Sequence, residues 1–408
     1  MKCRHCSAVL TTTFLDLGSA PPSNAYLTSK TLHLPEKWFP LRVLVCTECW
    51  LVQTGEFAGA AGLFDADYAY FSSFSTTWLA HAERYVAEMT DRFSLDAKSH
   101  VVEVAANDGY LLQYFKKRGI PCLGVEPTAG TAAAARGKGV SVIQDLFGVR
   151  LARELAAQGL QADLVVANNV LAHVPDINDF VAGFSVILKP AGIATFEFPH
   201  LLRLVAENQF DTIYHEHFSY LSLHAVKRIF EHNGLNVFDV EELPTHGGSL
   251  RVFAQRKDTG RCATTSHVSE LLQRETSAGV TTTCFYSDFQ PKADKVKNDL
   301  LAFLIEAKRD GRRVAGYGAA AKGNTLLNYA GVRPDLLPWV VDRNPTKQGK
   351  YLPGSRIPIV AEMHIREIRP DYVVILPWNL REEVMVQLAY IREWGGRFVT
   401  AVPQLEVA

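Results

Sequence analysis

From about Ser99 onward, short apolar runs alternate with stretches in which apolar residues recur at helical spacing. That is the pattern of a doubly wound sheet, in which each parallel strand is followed by a helix. HVVEVAANDGYLLQYFKKRG (residues 100–119) reads as strand, turn and helix, and IPCLGVEPT as a second strand ending at Glu126. ADLVVANNVLAHV and GIATFEFPH are later strands followed by loops, and LNVFDVEELPTHGGSLRVFAQR is an antiparallel hairpin that would close the sheet. A polar helical stretch runs on to about Asp310. RRVAGYGAAAKGNTLLNYAGV then repeats the order of strand, glycine turn and helix, with further strand ends in WVVDRNPTKQGKYLPG and PDYVVILPWNL. The expected class is α/β: a small module at residues 1–65, a Rossmann-like domain at 66–260 and a smaller Rossmann-like domain at 261–408.

Bulk properties narrow the partners. With 408 residues, 48% hydrophobic and 21% charged, the chain is globular and too long for one core. A net charge of −1 with scattered Lys and Arg lacks the basic footprint of nucleic-acid binding. No run approaches the ~20 apolar residues of a membrane span, and the start, MKCRHC, has no apolar stretch after its charges, so the expected setting is the cytoplasm. Oligomeric state is left open, a monomer being the simplest expectation.

The cysteines change the picture at the N-terminus. Cys3 and Cys6 form one C-x2-C and Cys46 and Cys49 another, with 39 residues between the pairs. Two such knuckles commonly wrap four thiolates around a tetrahedral zinc, whereas a disulfide suits a secreted chain better. Four protein ligands close the site, so the zinc is expected to be structural, standing in for a core that about 60 residues are too few to build.

In doubly wound sheets a ligand lies at the carboxyl ends of the strands, and Glu103, Asn107, Asp108, Gly109, Glu126, Asn168 and Asn169 all fall there. A carboxylate ending the second strand can accept hydrogen bonds from ribose hydroxyls. Yet the turn EVAANDGYLL has lost most of the glycines of a dinucleotide loop and carries an acidic residue that would repel phosphate. A cofactor with ribose but no phosphate, S-adenosylmethionine, fits better. A second candidate is TIYHEHFSYLS, which sets Tyr214, His215, Glu216 and His217 side by side. A single histidine there is commonly structural; a set of this kind also suits a general base with orienting partners. If the segment is helical, positions three apart share a face, which favours Tyr214 with His217 over His215.

VVEVAANDGYLL, GVEPT, QDLF, DLVVANNVLAHVPD and LKPAGIATFEFPH resemble the consecutive motifs of class I S-adenosylmethionine-dependent methyltransferases, in the alanine-rich form of the sugar C-methyltransferases. The two C-x2-C pairs, YHEHFSYLS and GYGAAAKGNTLLNY are similar to further features of that family, in the same order, so the resemblance spans nearly the whole chain. It implies methylation at carbon 3 of a nucleotide-linked 4-keto-6-deoxyhexose, commonly a thymidine diphosphate sugar, in the making of a branched deoxysugar. It also implies Glu126 on the cofactor ribose, Asp145 and Leu146 beside the adenine, and the loop Ala105 to Gly109 against the methionine portion; Glu103, Pro127 and Asn168, at the strand ends, complete the expected cofactor-binding set. His217 is implied as the base, with Tyr214 and Glu216 as its neighbours and Tyr68, ahead of Tyr70, as a further contributor. Lys322, Gly318 and Asn324 are implied near the substrate phosphates, with His246 in the wall of the same cleft. Rivals are an O-methyltransferase using the same histidine on a hydroxyl, an NAD-dependent oxidoreductase using Gly323 and Asp342 of the last domain, and a zinc-ribbon interaction protein without turnover.

Overall fold

The computed structural model describes residues 1–55 and 71–408, so Tyr68 and Tyr70 lie outside the described residues. Near the N-terminus, β1 (Thr12–Ala20), β2 (Phe39–Val45) and β3 (Val52–Thr54) pair antiparallel in sequence order. The two cysteine knuckles meet beside them, with all four Sγ atoms within 4.8 Å of one another. Cys3 and Cys49 sulfurs are 3.5 Å apart, as are those of Cys6 and Cys46. A disulfide would need about 2.05 Å. Sulfurs arranged tetrahedrally around one zinc lie about 3.8 Å apart, so the four fit that ion.

The middle sheet contains β4 (Val101–Val104), β5 (Cys122–Val125), β6 (Val142–Ile143), β7 (Ala162–Asn168) and β8 (Leu188–Pro199), all parallel. After β9 (Ser219–Tyr220), which lies outside this sheet, the hairpin β10 (Leu235–Leu243) and β11 (Ser249–Arg256) joins β8 antiparallel. The order is β10-β11-β8-β7-β4-β5-β6, so the chain reverses direction of travel between β4 and β7, where a crevice opens at the carboxyl ends. All four residues of β4 are buried, as expected of a strand covered on both faces. One cover is the helix Thr76–Arg92, which buries Trp78, His81, Ala82, Tyr85, Val86 and Met89 at spacings of three and four; the Ser75 hydroxyl caps it by accepting from the Trp78 N–H.

The last sheet has the order β14-β13-β12-β15-β16-β17, built from β12 (Val314–Tyr317), β13 (Val340–Val341), β14 (Ile359–Val360), β15 (Tyr372–Ile375), β16 (Arg397–Thr400) and β17 (Glu406–Val407). Only β17 runs antiparallel to its neighbour. Its reversal point lies between β12 and β15.

The three parts are not independent beads. β9, from the middle of the chain, pairs with β3 and completes the N-terminal sheet in the order β1-β2-β3-β9. One apolar cluster runs from Phe14 and Val43 through Phe210 and Ile213 to Leu326 and Val374. The helix Phe289–Arg309 lines it with Phe289, Val296, Leu300 and Leu304.

Because β3 carries β9, loss of the metal should reach beyond its own module. Cys46→Ser, or stripping with a strong chelator, is expected to destabilise the chain by roughly 3 kcal/mol or more and to remove enzymatic activity with it. Metal analysis should find one zinc per chain; a melting transition unmoved by complete zinc removal would refute the structural role.

Candidate active site

The segment that carries His217 is not a helix. Phe210–Thr212 is one 3-10 turn, and a β-turn follows in which the His217 N–H donates to the Tyr214 carbonyl at 2.9 Å. A β-turn brings its first and fourth residues together as a helix does, so Tyr214 and His217 still meet, but for a different reason from the helical spacing considered above. Their rings lie 4.0 Å apart by centroid, with 2.8 Å between Tyr214 Oη and His217 Nε2. His215 and Glu216, at the corners, point elsewhere. His215 is buried against the carbonyls of Phe39 and Pro40. Glu216 is 1% exposed, and its Oε2 accepts from Asn24 Nδ2 at 2.6 Å. Burial pushes the Glu216 carboxyl up to about 7, with Asn24 opposing.

The tautomer of His217 follows from its partners. Nδ1 is 2.9 Å from the Thr212 carbonyl, an acceptor only, so Nδ1 carries the proton and Nε2 presents its lone pair to the Tyr214 hydroxyl. Burial holds the imidazole well below the ordinary histidine range, and His173, Lys322 and His246 push the same way while the Thr212 carbonyl opposes. His217 is therefore neutral at physiological pH.

His173 is a site residue that the sequence reading did not single out. It ends the 3-10 turn Leu171–His173 just after β7, and its ring meets that of His217 edge-on at 4.6 Å. Its Nδ1 donates to the Glu216 carbonyl at 2.9 Å, and burial lowers its pKa to about 4. The available signal was its place in NNVLAHV, at the carboxyl end of a strand already read as ligand-facing.

The cofactor crevice shows buried polar groups awaiting partners. Asn168, at the end of β7, is 6% exposed, and neither atom of its amide has a partner among the described residues. The Glu103 carboxylate, in β4, likewise has none, and burial raises it well above the usual carboxylate range, Tyr110 opposing and Glu126 and Asp108 adding. Such groups are costly unless a ligand meets them, so the crevice fits a polar cofactor. Ala105 (φ 60°), Asn107 (φ 49°) and Gly109 (φ 74°) are all left-handed, so the turn keeps the backbone of a glycine-rich loop with little glycine. Both Glu126 oxygens accept backbone N–H groups, from Asn107 and Thr128 at 2.9 Å each, and each keeps a further lone pair toward the crevice beside Pro127. Asp145 is paired with Arg150 at 2.6 Å, and Leu146 next to it is 70% exposed.

The last domain contributes to the same cleft. His246, left-handed at φ 55°, lies 3.3 Å from Asn169 Nδ2 through its Nε2 and against the Trp78 ring; burial lowers it to about 4. The next residue, Gly247, has φ +89°, and a Cβ on it would come 2.5 Å from the Trp378 ring. Trp378 Nε1 in turn donates to both oxygens of Asp211, at 2.9 and 3.1 Å. Burial pushes the Asp211 carboxyl up to about 7, with Lys322 and Trp378 opposing. Lys322 lies 4.5 Å from the centroid of the Trp378 ring and donates to Asn379 Oδ1 at 2.7 Å. Asp211, on the segment that carries His217, is the neighbouring charge that opposes the lowering of Lys322 by burial. Gly318 is needed for packing, since a Cβ there would meet Pro377 at 2.5 Å. Asn324 is 1% exposed with both amide atoms unpartnered among the described residues. Asp342, the acid an NAD-type site would use, already accepts from the N–H groups of Ala319 and Asn344 at 2.8 Å.

Comparison with known proteins accounts for all three parts. Residues 3–64 match the family model of a zinc binding domain, 78–240 that of a methyltransferase domain and 244–403 that of a C-methyltransferase C-terminal domain. The C-methyltransferase NovU of Streptomyces niveus is 34% identical over 406 residues, covering 100% of this chain and 96% of NovU. Among solved structures, magnesium protoporphyrin IX methyltransferase from Synechocystis PCC 6803 covers 44% of this chain and 79% of its own at 15% identity and a TM-score of 0.34. The PH0226 protein of Pyrococcus horikoshii OT3 covers 46% and 95% at 16% identity and a TM-score of 0.39. Zinc module, cofactor crevice and carboxyl-terminal domain thus occur together and in order, and the chain belongs to the family of S-adenosylmethionine-dependent C-methyltransferases.

Proposed function

We propose that this C-methyltransferase acts at carbon 3 of a nucleotide-linked 4-keto-6-deoxyhexose, with thymidine diphosphate as the expected nucleotide, and that His217 is its general base. A saturated sugar carbon has no lone pair, so it becomes a nucleophile only when a neighbouring ketone lets its proton leave as an enolate. The observation that carries the reading is the two-sided fixing of His217, with Nδ1–H committed to Thr212 and a neutral Nε2 facing the Tyr214 hydroxyl. Substrate entry would transfer the Tyr214 O–H to the keto oxygen and uncover Nε2 for the carbon 3 proton. His173, also neutral, packs the base from the far side, and Glu216 ties the turn to Asn24 of the zinc module.

S-Adenosylmethionine, when bound, supplies a methyl group on a sulfonium sulfur that departs as a neutral thioether. Glu103, the Ala105–Gly109 turn, Glu126 and Asn168 would hold it, with Asp145 and Leu146 at the adenine end. The sugar nucleotide is assigned to the space between the crevice and the reversal point of the last sheet, where Lys322 and His246 face it and Asn324 lies nearby. Carbon rather than oxygen methylation follows from the C-methyltransferase family to which the chain belongs. We place the reaction in the cytoplasm, which suits seven cysteines without a disulfide.

His217→Asn is expected to leave both ligands bound within a few-fold while lowering methyl transfer by about 100-fold or more. Deuterium exchange at carbon 3 in heavy water should fall in step, and near-normal exchange in that variant would remove His217 from the role. The pH dependence has a definite sign: the base works neutral, so kcat/KM should be level through neutrality and fall only below the ordinary histidine pKa of 6.5. An acid limb at or above that value would contradict the burial. Asn168→Ala should weaken S-adenosylmethionine by about 10-fold, one polar contact's worth, as read by calorimetry; unchanged affinity would exclude Asn168 from the cofactor site.

A further inference from the structure

We infer that Lys322, delivered by the carboxyl-terminal domain across the cleft, is the cation that stabilises the enolate oxygen formed next to the base, and is not a clamp for the substrate's phosphates. The inference rests on the proposed ketone chemistry. Its physical basis is a partly buried ammonium left without an ion pair. No carboxylate among the described residues reaches Lys322; its contacts are the Asn379 amide oxygen at 2.7 Å and the face of Trp378 at 4.5 Å. Asp211 accepts from Trp378 Nε1 with both of its oxygens, and although it makes no ion pair with Lys322 its charge opposes the lowering of the lysine by burial. A half-buried cation held by neutral groups is costly unless an anion meets it during function.

Placement decides which anion. Lys322 leaves the reversal point between β12 and β15 and lies on Trp378, whose ring packs against Gly247, the neighbour of His246. Among the described residues, the charged and titratable groups around His217 are His173 from the turn after β7, His246 from the β10–β11 turn, Tyr214 on its own turn, Tyr220 on β9, and Lys322. Of these, Lys322 is the group ordinarily charged at neutral pH, lowered by burial with Asp211 opposing, and the Trp378 ring under it binds Asp211 on the segment that carries His217. The keto oxygen is attached to the carbon adjoining the one that loses its proton, so the negative charge must appear beside the base as well. The steps balance: the carbon 3 proton passes to His217 Nε2, the C–H electron pair becomes the C3–C4 double bond, and the carbonyl pair moves to the oxygen facing the ammonium. When carbon 3 forms its new bond to the methyl carbon, the methyl–sulfur bond would break with its electron pair left on a neutral thioether, the carbonyl returns and the proton on His217 leaves to solvent.

The test compares Lys322→Met and Lys322→Arg with the parent chain. Met should lower kcat and carbon 3 deuterium exchange by about 100-fold with KM changed only a few-fold, the scale of losing one oxyanion donor, and Arg should recover part of the loss. Affinity for thymidine diphosphate, measured by calorimetry, should be unchanged. A loss confined to KM and diphosphate affinity would overturn the inference in favour of a phosphate clamp. A second readout needs no substrate: in the Met variant, removing the neighbouring positive charge should move the His217 imidazole titration, assigned by NMR against His217→Asn, to higher pH. A titration left in place would overturn the inference even if the variant were inactive. If the parent chain exchanges deuterium into no 4-keto hexose, the proposed substrate fails, while the titration still decides whether Lys322 faces the base. Matching melting curves of the Met and Arg variants exclude misfolding as the cause.

Discussion

The turn from Asp211 to His217 is anchored from every side, and the placement of His217, the proposed base, depends on that anchoring. The Thr212 carbonyl fixes the histidine tautomer. The zinc module holds the turn through Asn24 on Glu216, Thr54 Oγ1 on the His217 carbonyl at 3.1 Å, and the β3–β9 pairing just beyond it. The carboxyl-terminal domain holds it through Trp378 on Asp211 and through Thr325 Oγ1, which donates to the Ile213 carbonyl at 2.9 Å. The middle domain adds His173 on the Glu216 carbonyl. An irregular segment has no ladder of its own to satisfy its backbone groups, so these outside donors and acceptors define its shape. A base must be held to a fraction of an ångström to act, which gives three domains a shared task.

Electrostatics in the cleft follow from the same crowding. Three histidines, His173, His217 and His246, are kept uncharged by burial, and Lys322 reinforces that effect on His217 and His246. Meanwhile burial raises Glu216 and Asp211 toward neutrality, and Asp211 is the acid whose charge Lys322 feels. The result is a pocket with uncharged bases and one cation, suited to removing a proton from carbon while negative charge gathers on a nearby oxygen.

The cofactor crevice illustrates how a sequence can keep a backbone shape while changing the residues. In place of glycines, Ala105 and Asn107 accept the left-handed conformation, each at a cost of about 1 kcal/mol, and Glu126 offsets it by binding the Asn107 N–H. The glycines kept in the last domain serve packing, against Pro377 in the case of Gly318.

Local pattern determined much of this protein by itself. The order of strands and helices, the antiparallel hairpin, the doubled C-x2-C and the carboxyl-end residues Glu103, Glu126 and Asn168 are legible because periodicity and ligand spacing act over a few residues. The pairing of Tyr214 with His217 was legible too, but through a helix that does not form; a β-turn delivers the same contact. Tertiary structure alone decided that His173, Asn24, Asp211 and Trp378 converge on that turn, that β9 belongs to the zinc module's sheet, and that Lys322 lies over the Trp378 ring. These are contacts between residues far apart in the chain, fixed by which buried surfaces fill one another and where buried polar groups find partners, and no spacing rule along the sequence encodes either.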